Sequence, residues 1–184
     1  STLSFALAVD KATAKFAAQT GAGRLLTREI SNVSDAPRNL GITAEQAGKA
    51  AQGLFEGMNT FQQQSQGTRQ NLMKVVGGLE LLGVSTDDST QAIVFFNKNL
   101  GVSADKAAAM TRELAMTGKS LGMTASKITK EFNSAMKTLA VYGTKAPKVF
   151  KGLAAMAAAS NVEIGKLLDL AGKFDTFASA AETT

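Results

Sequence analysis

The feature that most constrains this chain is a short phrase that occurs four times. It reads Asn39-Leu40-Gly41-Ile42-Thr43-Ala44-Glu45, Leu81-Leu82-Gly83-Val84-Ser85-Thr86-Asp87, Asn99-Leu100-Gly101-Val102-Ser103-Ala104-Asp105 and Ser120-Leu121-Gly122-Met123-Thr124-Ala125-Ser126. The shared pattern is Leu-Gly-aliphatic-Ser/Thr, and successive glycines lie 42, 18 and 21 residues apart, a period of about 20. A glycine just past a helix can take the left-handed conformation, which lets backbone N–H groups turn back to the last carbonyls. The aliphatic residue after it packs on the helix just ended. The Ser or Thr caps the first N–H groups of the next helix, and an acid two positions on suits the positive helix end. The phrase therefore stops one helix and starts another.

Weaker versions extend the rhythm through Tyr142-Gly143-Thr144, with Pro147 early in the next helical stretch, and through Asn161-Val162. Gly21-Ala22-Gly23, Asp35-Ala36-Pro37 and Gln62–Gly67 read as breaks or bends. Between breaks the apolar spacing is helical: Phe5, Val9, Ala12 and Phe16, then Ala47, Ala50, Ala51, Leu54, Met58 and Phe61. It continues through Leu72, Val75, Val76, Leu79 and Leu82, through Ala107, Met110 and Leu114, and through Ile128, Phe132, Ala135, Met136, Leu139 and Tyr142. The last stripe is Ile164, Leu167, Leu168, Ala171 and Phe174. Ala92–Phe96 is apolar all round, which predicts a central helix. The expectation is an all-α fold of about eight helices of ~12–18 residues, packed as antiparallel hairpins or as an elongated array. A compositional change near Gln62–Gly67 predicts a division into an N-terminal helical segment, 1–66, and a more regular region, 67–184.

Composition narrows the chemistry. The 184 residues include no Cys, no His and no Trp. That excludes Cys/His zinc sites, Ser-His-Asp and Cys-His pairs, disulfides and thiol redox centres. An enzyme would have to work with carboxylates, Lys or hydroxyls alone, and none is arranged as a recognisable motif. Gly118-Lys119-Ser120 resembles the end of a phosphate-binding loop, but Glu113 stands where its first glycine belongs and no strand precedes it. Asp87-Asp88 falls in a first helical turn, where it compensates the helix dipole. The reading is non-enzymatic, with no catalytic residue, no cofactor and no metal. No apolar run approaches the ~18–20 residues of a membrane-spanning helix. Ser1, not Met, opens the chain, and the expectation is an excerpt of a longer protein.

The net charge of +5 is concentrated. Lys119, Lys127, Lys130, Lys137, Lys145, Lys148 and Lys151 face one acid, Glu131, within that stretch. Two readings stand side by side: a solvated helix face with cations near helix ends, and an electrostatic surface for an acidic partner. With no Arg and few aromatics in the stretch, sequence-specific nucleic-acid binding is not expected. Glycines inside helical stretches (Gly53, Gly57, Gly77, Gly78, Gly152, Gly165, Gly172) also have two readings, close helix crossings or a chain that must stay deformable.

Helix-Leu-Gly-Val-Ser/Thr-x-Asp/Glu phrases between Ala-, Gly-, Lys- and Thr-rich helices resemble the tail tape-measure proteins of tailed bacteriophages. The stretch Ala159–Asp175 is especially similar to those of contractile-tailed phages; the resemblance runs from Gly67 to Thr184. It implies a structural virion component in the tail-tube lumen or baseplate that sets tail length. The implied partners are tail-tube and baseplate-hub proteins, with three or six copies forming a homo-oligomer. The lysine stretch would then face an acidic lumen or hub. Two alternatives are an ejected helical protein that forms a channel in the host membrane and a stand-alone helical adaptor.

Overall fold

The computed structural model of the chain describes residues 2–35 and 41–181, with side chains through residue 172. Among these residues it is all-α, with nine α-helices in chain order: α1 (Thr2–Thr20), α2 (Thr27–Ser34), α3 (Ala44–Gly57), α4 (Gln66–Glu80), α5 (Thr86–Asn99), α6 (Ala104–Ser120), α7 (Ala125–Leu139), α8 (Ala146–Ser160) and α9 (Ile164–Ala181). Short 3-10 segments, Phe61–Gln63 and Ala140–Lys145, precede α4 and α8. The chain divides into two compact units, Ser1–Glu113 and Leu114–Thr184, with the boundary inside α6.

The recurring phrase builds its turns as its chemistry dictates. Gly41, Gly83, Gly101 and Gly122 all have positive φ, between 64° and 82°. At Gly83 the Val84 N–H donates to the Leu79 carbonyl at 3.0 Å and the Gly83 N–H to Glu80 at 2.9 Å. That pair of reversed bonds satisfies carbonyls the helix itself leaves open. Gly122 repeats it, with Met123 N–H on the Gly118 carbonyl at 2.8 Å. Asn161 (φ 54°) does the same with Val162 N–H on Ala157. After Gly101 the solution differs, because the Asn97 side chain donates to the Val102 carbonyl at 2.8 Å. Downstream, the Thr43, Ser85, Ser103 and Thr124 hydroxyls each accept a backbone N–H three residues on. Gln46 completes a reciprocal box by accepting the Thr43 N–H at 2.9 Å. Asn39 and Leu40 of the first phrase, and Ala36-Pro37, lie outside the described residues.

In the first unit α3 is central, packing against α1, α2, α4 and α5. Its Ala47, Ala50, Ala51 and Leu54 are buried, and Phe16 of α1 meets Phe55 edge-to-face at 5.7 Å between ring centres. Ala92, Ile93, Phe95 and Phe96 of α5 are buried, but the central helix is α3 and not α5, because Asp87, Gln91 and Lys98 keep one side of α5 at the surface. Leu82 departs from its stripe at 47% exposed, because α4 ends at Glu80 and the turn carries Leu82 outward. In the second unit α7 packs against α8 and α9, and Phe132 meets Phe150 edge-to-face at 5.1 Å. The Phe174 side chain lies outside the described ones.

The division expected between 66 and 67 falls inside the first unit. The segment there is stitched rather than free. Glu29 of α2 and Arg69 of α4 form an ion pair whose side chains are 6% and 19% exposed. The Arg69 Nε donates to Glu29 Oε1 at 3.1 Å, and its Nη1 donates to the Gln64 carbonyl at 2.6 Å. One guanidinium thus joins α2, α4 and the polar connection between α3 and α4.

Close helix crossings account for some of the interior glycines and not for others. A Cβ on Gly53 would lie 2.4 Å from Thr86 Cγ2, and one on Gly57 2.7 Å from Thr90 Cγ2. Both pairs are four residues apart, so two methyls of α5 seat against two bare backbone positions of α3. A Cβ on Gly77 would meet Ile42 Cγ2 at 3.1 Å. Gly78, Gly152, Gly165 and Gly172 have nothing within 4 Å of that position.

The ion pair and the glycines each set an expected change in stability, read by urea unfolding with circular dichroism. Arg69→Ala lowers stability by about 3 kcal/mol because it strands a buried carboxylate, whereas the double replacement Glu29→Leu/Arg69→Met recovers most of that loss. Gly53→Ala destabilises by about 1–3 kcal/mol through overpacking, while Gly152→Ala stabilises by up to about 1 kcal/mol through helix propensity.

Candidate functional site

All seven lysines singled out by the sequence fall in the second unit. Lys119, Lys127, Lys130, Lys137, Lys145 and Lys148 are exposed and Lys151 is half-buried. They do not converge on one patch. Lys127, Lys130 and Lys137 share the polar face of α7, opposite the buried Ile128, Phe132, Ala135 and Leu139. Lys119 and Lys137 occupy the last turns of α6 and α7, where a cation complements the helix dipole. Lys127 lines a cleft of about 270 Å³ with Glu131 and Glu163, so carboxylates already share its surroundings.

Lys145 and Lys148 are placed differently. Lys145 is the N-cap residue of α8 with no capping bond from its side chain, and Lys148 lies in the first turn, which has no acid. Lys148 therefore stands at the positive end of a helix, a locally unfavourable place, whereas Lys145 also closes the 3-10 segment before it. Both border a shallow groove of about 590 Å³ along α8, otherwise lined by Val149, Gly152, Leu153 and Met156. Met156 is 58% exposed. The first unit has its own open groove, of about 680 Å³, between α1 and α2. Phe5, Val9 and Leu25 line it, and an Arg24–Asp10 ion pair stands at its side.

The remaining motifs resolve as local structure. Asp88 exchanges hydrogen bonds with Ser85 at the start of α5, and Asp87 accepts from the Gln91 side chain at 2.8 Å. Gly118-Lys119-Ser120 is helical, with a Cβ on Gly118 placed 2.8 Å from Ile128 Cγ2, so it forms no anion-cradling loop. Gly21 and Gly23 take positive φ in the break between α1 and α2. Among the described residues no group of three or more acids is placed to hold a metal ion, and no helix is long and apolar enough to cross a membrane.

No family model, curated protein or solved structure matches the chain. Three features escape a reading of the sequence alone: the Glu29–Arg69 pair, the α1–α2 groove and the apolar strip of α8. The first has a signal, since Leu26, Glu29, Ile30 and Val33 share one helical face and put a carboxylate among apolar neighbours. The strip has one too, as Val149, Leu153 and Met156 recur at helical spacing off the stripe of Phe150, Ala154 and Ala157 that is buried.

The different settings of the lysines give opposite expected outcomes in thermal unfolding at low salt. Lys137→Glu lowers stability by roughly 0.5 kcal/mol, and Lys148→Glu raises it by a similar amount. Both effects shrink as salt is added.

Proposed function

We propose that the chain is a non-catalytic, helical structural segment of a tail tape-measure protein in a phage virion, working by length and contact with tail-tube and baseplate-hub proteins. The observation that carries the reading is the repeated turn. At spacings near 20 residues the same Leu-Gly-aliphatic-Ser/Thr phrase closes one helix with a positive-φ glycine and opens the next with a hydroxyl cap. A chain assembled from such units can be lengthened or shortened unit by unit without new chemistry. Exposed lysines on α7 and α8 supply contact charge for an acidic lumen or hub. In this reading several copies run together along the tail axis.

The test is made in a phage that encodes the chain. Mass spectrometry of purified virions finds the chain in the tail, and it is lost from particles after ejection. Deleting the 21 residues from Gly101 to Leu121 shortens the tail seen by electron microscopy, by up to about 30 Å if the helix lies along the tail axis at 1.5 Å per residue. Virions that lack the chain, or tails of unchanged length, overturn the proposal.

A further inference from the structure

The strip along α8 combines three properties that have no use inside the second unit. First, it is an apolar ridge that reaches the surface, with Gly152 and Met156 exposed and Val149 and Leu153 half-buried. Val149, Gly152, Leu153 and Met156 succeed one another at helical spacing and line the groove almost unbroken. Second, the ridge is open at its middle, because nothing lies within 4 Å of where a Gly152 Cβ would be. In the first unit, Gly53 and Gly57 show how this chain uses such positions, to let another helix come close. Third, Lys145 and Lys148 sit at the start of the ridge, at the positive end of their own helix. Neither has an ion-pair or hydrogen-bond partner among the described residues, and no acid stands in the first turn of α8.

We propose that this strip is a docking site for an acidic amphipathic helix of a partner protein. The partner's apolar face covers Val149, Leu153 and Met156 with its backbone close to Gly152, and its carboxylates meet Lys145 and Lys148. A helix is the matching shape, since a ridge with helical spacing seats in the groove between a neighbour's ridges. An anionic lipid surface fits less well: interfacial helices carry cations along the whole polar face, whereas α8 has no basic residue after Lys151. A second copy fits less well too, because it would bring together two lysine-rich stretches, each with seven lysines and one acid between Lys119 and Lys151. Such docking is independent of the tail reading, as only the chemistry of what covers α8 is specified.

The test uses the full chain and two labelled synthetic helical peptides of about five turns, one with Leu along one face and Glu along its edges, the other with Lys replacing Glu. By fluorescence anisotropy at low salt, the Glu peptide binds about tenfold or more tightly than the Lys peptide. Lys145→Glu/Lys148→Glu reverses that order, and Met156→Glu weakens the Glu peptide's binding. Circular dichroism establishes that each variant keeps its helical content, so lost binding is not lost folding. Equal binding of the two peptides, or binding unchanged in the variants, overturns the proposal. So does sedimentation showing self-association that Met156→Glu abolishes, which would make a second copy the occupant. Binding to phosphatidylserine vesicles without binding to the Glu peptide overturns it in favour of lipid.

Discussion

A carboxylate taken out of water costs several kcal/mol unless a cation and well-made hydrogen bonds replace its hydration. The first unit meets that condition at Glu29, its most deeply buried carboxylate among the described residues. Ile30 and Val33 of α2 and Leu26 just before it are buried, so the helix cannot seat its apolar side without taking Glu29 in as well. Arg69 has to be delivered to it from 40 residues away. Because the same guanidinium holds the Gln64 carbonyl, the polar connection after α3 is fixed by the interaction that neutralises α2. Both ends of the central helix α3 are thereby set, one by the Thr43–Gln46 box and the other by the segment Arg69 holds.

How far the fold is legible in the sequence depends on where its information is local. Helix ends are local: an αL glycine, a following aliphatic and a hydroxyl cap lie within a few residues, so the turns at Gly83 and Gly122 can be read directly. The buried faces of α3, α5 and α7 are nearly as legible, since periodicity alone selects Leu54, Phe96 and Phe132. The short helix α2 is harder, because a charged residue occupies part of its apolar face and weakens the stripe. The division of the chain lies elsewhere in space than in sequence for a related reason. A run of glutamines looks like a linker in sequence, and only its long-range partner shows that it is held.

The lysine surface illustrates the same limit. Seven lysines in 33 residues form one feature in sequence, and five of them fall into three different settings in space. Lys119 and Lys137 answer helix C-termini, Lys127 stands beside carboxylates, and Lys145 and Lys148 stand where a helix would prefer acids. Charge counting cannot separate these cases, since what distinguishes them is the direction of the helix beneath each residue. The interior glycines divide on the same principle. Gly53 and Gly152 are alike in sequence, and the neighbour each one meets, or fails to meet, decides its role.

The seating of Thr86 and Thr90 over Gly53 and Gly57 has a mechanical consequence. Two methyls resting in two gaps at matching spacing act as pegs in holes, so α5 cannot slide along α3 without first lifting away from it. A pull along the chain is therefore resisted in shear at this crossing. Among the described residues no such peg engages Gly152, Gly165 or Gly172.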